Sequence, residues 1–68
     1  MLEKQWILVF SSGDLFKAEL LKGLLSEHGI ESVVVNKKDS AYLIGDVELF
    51  VTVENAFEAN QIIKASEI

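Results

Sequence analysis

Residues 47–53, VELFVTV, alternate without a break: Val47, Leu49, Val51 and Val53 fall on one side of an extended chain, Glu48, Phe50 and Thr52 on the other. A period of two carried by β-branched and large apolar residues predicts a strand. Because one side is wholly aliphatic, that strand has to be covered by another layer. The rest of the chain is read by asking what supplies the cover.

Two further segments have strand character. Residues 30–36, IESVVVN, hold three consecutive valines, which lose side-chain freedom in a helix and suit a pleated sheet. Residues 4–10, KQWILVF, stop at the turn-forming Ser11, Ser12 and Gly13. Regular alternation there puts Trp6, Leu8 and Phe10 on one face and Ile7 and Val9 on the other, so this strand is apolar on both sides.

Helical periodicity accounts for the remainder. Asp14 is a good N-cap, since its carboxylate can accept from the free amides of a first turn. Leu15, Ala18, Leu21 and Leu25 then recur at helical spacing, with Phe16, Leu20 and Leu24 widening the stripe, up to about His28. Gly29 supplies the left-handed residue that closes many helices. A second helix starts near residues 52–55, with Thr52 or Asn55 as its cap and Ala56, Ala59, Ile62 and Ile63 facing inward, Phe57 at the flank.

The order β-α-β-β-α implies an α+β fold. A right-handed crossover makes the first two strands parallel, and the third inserts antiparallel between them. The expected architecture is a ferredoxin-like half sandwich with three-stranded sheet order 2-3-1 and both helices on one face. No segment is left for a fourth strand, so the outer edge of the first strand is open. The uncovered face is expected to carry Ile7, Val9 and Phe50, with one or two of residues 33–35, and to serve as a homo-oligomer interface.

Composition limits the function classes. The 68 residues form one domain, 1–68, near the size where small cores need a staple, yet cysteine is absent and His28 is the single histidine. No cofactor or metal is expected on this basis. The net charge is −5, with eleven acidic against six basic side chains, which disfavours nucleic acid as a partner. No stretch reaches the roughly 20 apolar residues of a membrane helix, and the apolar N-terminal run is too short for a secretory signal core. The expected location is the cytoplasm.

With residues 14–30 and 36–51 in view, the chain resembles a family of small bacterial domains described as putative signal-transducing proteins, formally a domain of unknown function. The resemblance is carried by Phe10, by AELLKGLLSEHGI over residues 18–30, and by NKKDSAYLIGDVELFV with Asn36, Asp39, Ser40, Tyr42, Gly45, Glu48 and Leu49. It covers nearly the whole chain. It implies a ferredoxin-like, distantly PII-like domain with a signalling role. Family members often carry a proline just inside each helix, where this chain has Leu15 and Thr52. The long nucleotide-binding loop of PII proteins has no counterpart, so ATP binding is not implied.

The turn over residues 36–45 mixes polar and apolar groups. Asn36, Asp39, Ser40, Tyr42 and Gly45 are the candidate residues for binding a partner protein or a small ligand. The competing account gives Asp39 and Ser40 the turn's own amides and lays the Tyr42 ring over the sheet end. Lys37 and Lys38 suit a solvated turn better than an anion site, and His28 with Glu27 and Glu31 suits a surface better than a metal. Ser11, Ser12 and Gly13 precede a helix, but Asp14 at the cap repels phosphate. No nucleophile with a base and no paired acid–base carboxylates can be recognised, so the chain is expected not to be an enzyme. The reading is a cytoplasmic regulatory module that binds through the 36–45 turn, with a ligand-free homo-oligomer as the alternative and a small enzyme using Asp39 with Tyr42 ranked below both.

Overall fold

The computed structural model describes residues 4–37 and 46–66. Strand β1 (Trp6–Ser12) leads into helix α1 (Leu15–Glu27), strand β2 (Ser32–Asn36), strand β3 (Val47–Thr52) and, after one 3₁₀ turn (Val53–Asn55), helix α2 (Ala56–Ser66). The sheet order is β1-β3-β2, with both outer strands antiparallel to β3. This is the α+β arrangement expected of a ferredoxin-like half sandwich, with β3 in the middle.

Both ends of α1 follow from local chemistry. The Asp14 carboxylate accepts from the Phe16 amide at 2.9 Å, while the Asp14 amide donates to Ser12 Oγ at 3.0 Å. At the other end Gly29 has φ +77°, the Gly29 amide donates to the Ser26 carbonyl, and the Ile30 amide donates back to Leu25, each at 2.9 Å. That pair of bonds satisfies the last carbonyls of the helix, and the contact between Ile30 and Leu25 closes the turn with apolar surface. Ile30 therefore belongs to the helix stop, and β2 begins at Ser32, two residues later than the strand expected over residues 30–36.

The core lies between the sheet and the helices. Leu49 and Val51 of β3 pack with Leu25, Ile30, Ala59 and Ile63, and Val9, Phe10 and Val34 complete the sheet side. Val47, Leu49 and Val51 are fully buried, as the alternation predicts. Val53 is not: the chain has left the strand for the 3₁₀ turn, and its side chain is exposed. Asn55 donates through its side-chain amide to Thr52 Oγ1 at 3.1 Å, tying that turn to the strand end.

The main departure from the sequence reading is in β1. Leu8 pairs with Phe50 but Phe10 pairs with the adjacent Leu49, so Val9 is an extra residue in the ladder, a β-bulge. The bulge breaks the alternation. Trp6 and Leu8 stay on the outer face, whereas Phe10 turns to the core. Ile7 lies opposite Val51 and Val9 packs against the core cluster, so both belong to the inner face, and the expectation that they line the outer one is corrected. A second correction concerns α1: Ala18 and Leu25 are buried, but Phe16 and Leu20 at the edge of the stripe stay exposed.

Ser32 stands opposite Val51 on the inner face, and its buried hydroxyl makes no hydrogen bond. An unmet buried hydroxyl forfeits its hydration without compensation. Ser32→Ala is therefore expected to leave the domain unchanged or to stabilise it by about 1 kcal/mol. Urea denaturation checks this, and a loss larger than that amount would show that the hydroxyl does bond.

Candidate functional site

Both helices cover one face of the sheet, no element among the described residues covers the other, and the register shows what stands on it. The middle row is Leu8–Phe50–Val33 and the next is Ser11–Glu48–Val35, while Trp6 sits beside Thr52 at the far end. Trp6, Leu8, Val33 and Val35 are exposed, by 38%, 47%, 39% and 36%. Trp6, Val33, Val35 and Phe50 line a shallow hollow of about 350 Å³. Five apolar side chains on one small face form a patch of the kind that marks an interaction surface.

Ion pairs bound the patch at its two ends. Lys4 Nζ lies 3.3 Å from Glu31 Oε1, with both side chains well exposed. At the other end Lys37 Nζ lies 3.1 Å from Glu48 Oε1, and the Glu48 side chain is only 19% exposed. The Lys37 amide also donates to the Asp46 carbonyl at 3.0 Å, which continues the β2–β3 ladder past its last paired residues. Lys37 is thus engaged in holding the strand end and in neutralising a half-buried carboxylate.

Of the candidate binding residues, Asn36 is the exposed last residue of β2, opposite Val47. Asp39, Ser40, Tyr42 and Gly45 lie outside the described residues, as does Lys38. His28 caps α1 through its backbone and is exposed. Among the described residues no three His, Cys, Asp or Glu side chains come together as a metal site, and no helix is long and apolar enough to cross a membrane. The Ser12 hydroxyl and Asp14 carboxylate are spent on the turn before α1.

A second hollow, of about 590 Å³, runs between the helices and is lined by Phe10, Lys17, Leu20, Leu21, Leu24, Ile63 and Ser66. Its polar equipment is slight: Lys17 is the one charged lining residue, and the Ser66 hydroxyl is donated to the Ile63 carbonyl at 2.7 Å. Ligand sites rely on several convergent polar groups for orientation. The outer sheet face, with its apolar centre and charged ends, is the better-defined surface. Sequence reasoning found Phe50 there, with one or two of residues 33–35, which the register identifies as Val33 and Val35. It missed Trp6 and Leu8, because the bulge that separates them from Phe10 leaves no mark in the alternation.

No curated protein and no solved structure matches the chain. A family model does match, over residues 6–67, and its description is "Putative prokaryotic signal transducing protein". The match takes in every strand and both helices, and the chain belongs to that family.

Proposed function

We propose that the domain is a non-enzymatic, cytoplasmic recognition module that takes part in signal transduction by engaging a protein through the outer face of its sheet. The observation that carries this reading is the patch of exposed Trp6, Leu8, Val33 and Val35 around the half-buried Phe50, between two ion pairs. A flat apolar centre with a charged rim suits a macromolecular surface, whereas a small molecule needs a deeper enclosure. The acidic balance, −5, favours a protein over nucleic acid. The local engagement of Ser12, Asp14 and Lys37 is in keeping with recognition without catalysis.

Site-specific photocrosslinking in cells tests the assignment. A photoreactive phenylalanine analogue at Leu8 should give discrete protein adducts. The same group at Phe57, which is 75% exposed on α2, should give none. Equal labelling from both positions, or none from position 8, would remove the sheet face from consideration.

A further inference from the structure

We propose that the occupant of this face is a second copy of the chain, packed sheet against sheet across a twofold axis. The inference rests on the reading that the outer face is the interaction surface, and it goes on to name the partner. The first reason is the size of the core. The buried hydrophobic residues are aliphatic without exception, and none of the described aromatic side chains is among them. A small core without a disulfide gains from further apolar cover, which association supplies. A second sheet would convert two layers into four, helix–sheet–sheet–helix, with the apolar faces as the new centre.

The dimensions agree. Three strands about 4.8 Å apart and about 3.3 Å per residue long give a face on the order of 15 by 20 Å. Two such faces together bury roughly 600 to 900 Å², the range of weak, reversible contacts. The patch thus matches a second three-stranded sheet in outline, and the dimer should form and dissociate with concentration.

Charge points the same way. Two copies of an acidic chain repel unless they meet through a nearly neutral surface. The described residues carry eight acidic and five basic side chains, an excess of three. Five charges stand at the ends of the outer face, Lys4 and Lys37 against Glu31, Asp46 and Glu48, a balance of −1, so two of the three excess charges lie elsewhere. The face is also self-complementary. A twofold axis running across the strands through the Leu8–Phe50–Val33 row sets Phe50 against Phe50 and Trp6 over the small Ser11. It also brings the Glu31 end of β2 over the Lys37 end in the other copy.

Trp6 is the single tryptophan and sits on the face, so its emission reports contact directly. Light scattering on the intact chain should show monomer passing to dimer between about 10 µM and 1 mM, with a parallel blue shift of Trp6 fluorescence. Phe50→Glu and the milder Leu8→Lys should each raise the dissociation constant at least about tenfold and abolish the shift, with circular dichroism confirming an intact fold. Mixing Phe50→Glu with Phe50→Lys should restore association, because the two positions meet at the axis. A wild-type monomer at about 1 mM, or a dimer indifferent to both substitutions, overturns the proposal. If position 8 still crosslinks a different protein while the wild type stays monomeric, self-association alone falls. If position 8 crosslinks nothing, the sheet-face reading falls with it.

Discussion

Leu49→Ala is expected to lower the stability of the domain by about 3 to 4 kcal/mol. Leu49 is fully buried in the central strand, between Phe10 of β1 and Val34 of β2, and packs in the cluster that joins both helices to the sheet. Truncation there loses the transfer energy of the side chain and leaves a cavity that three elements would have to move to fill. Stability for a chain of this length is about 3 to 10 kcal/mol, so the variant stands close to unfolding. Its melting temperature should fall by between about 10 and 25 °C. Phe57→Ala is the control, since a ring that is 75% exposed should change stability by less than about 0.5 kcal/mol. A Leu49→Ala variant as stable as wild type would mean that the core is organised around something other than β3.

The parts of this fold that can be read in the sequence are those specified by neighbours along the chain. Asp14 and Gly29 mark the ends of α1 because caps are made within a few residues, and the alternation from Val47 to Val51 shows its buried side without reference to any partner. The parts that cannot be read depend on residues far away in sequence. The bulge at Val9 exists only relative to β3, and the alternation of KQWILVF offers no hint that Phe10 and Leu8 part company. The ion pairs that bound the outer face join Lys4 to Glu31 and Lys37 to Glu48, pairings that only the folded sheet creates. Phe16 and Leu20 satisfy the helical stripe yet remain exposed, because two helices on three strands cover less width than the stripe provides. For the candidate site, the same limit applies: the sequence points to Phe50 and to one or two of residues 33–35, and the sheet singles out Val33 and Val35 and adds Trp6 and Leu8.

The sharpest separation of fold from recognition comes from two consecutive residues of β3. Val51 is fully buried, flanked by Ile7 and Ser32, and the unbonded Ser32 hydroxyl is the one polar side-chain group opposite it. A carboxylate at position 51 would have a single hydroxyl to bond and no cation, so its desolvation costs several kcal/mol, comparable to the whole stability. Val51→Asp is therefore expected to be unfolded at neutral pH. Burial disfavours the charged form, so the folded-state pKa of that carboxyl would lie above the ordinary value of about 3.9. A raised folded pKa means that the folded chain holds the proton more tightly, and stability returns as pH falls from about 7 toward 4. Val51→Asn, which has no proton to gain, should show no such recovery in parallel urea titrations. Phe50→Glu, one residue away, leaves its charge on the outer face in contact with water and should fold at neutral pH while losing association. If Val51→Asp folds as well as Phe50→Glu at pH 7, the assignment of the two faces of β3 is wrong, and the recognition surface assigned to the outer one goes with it.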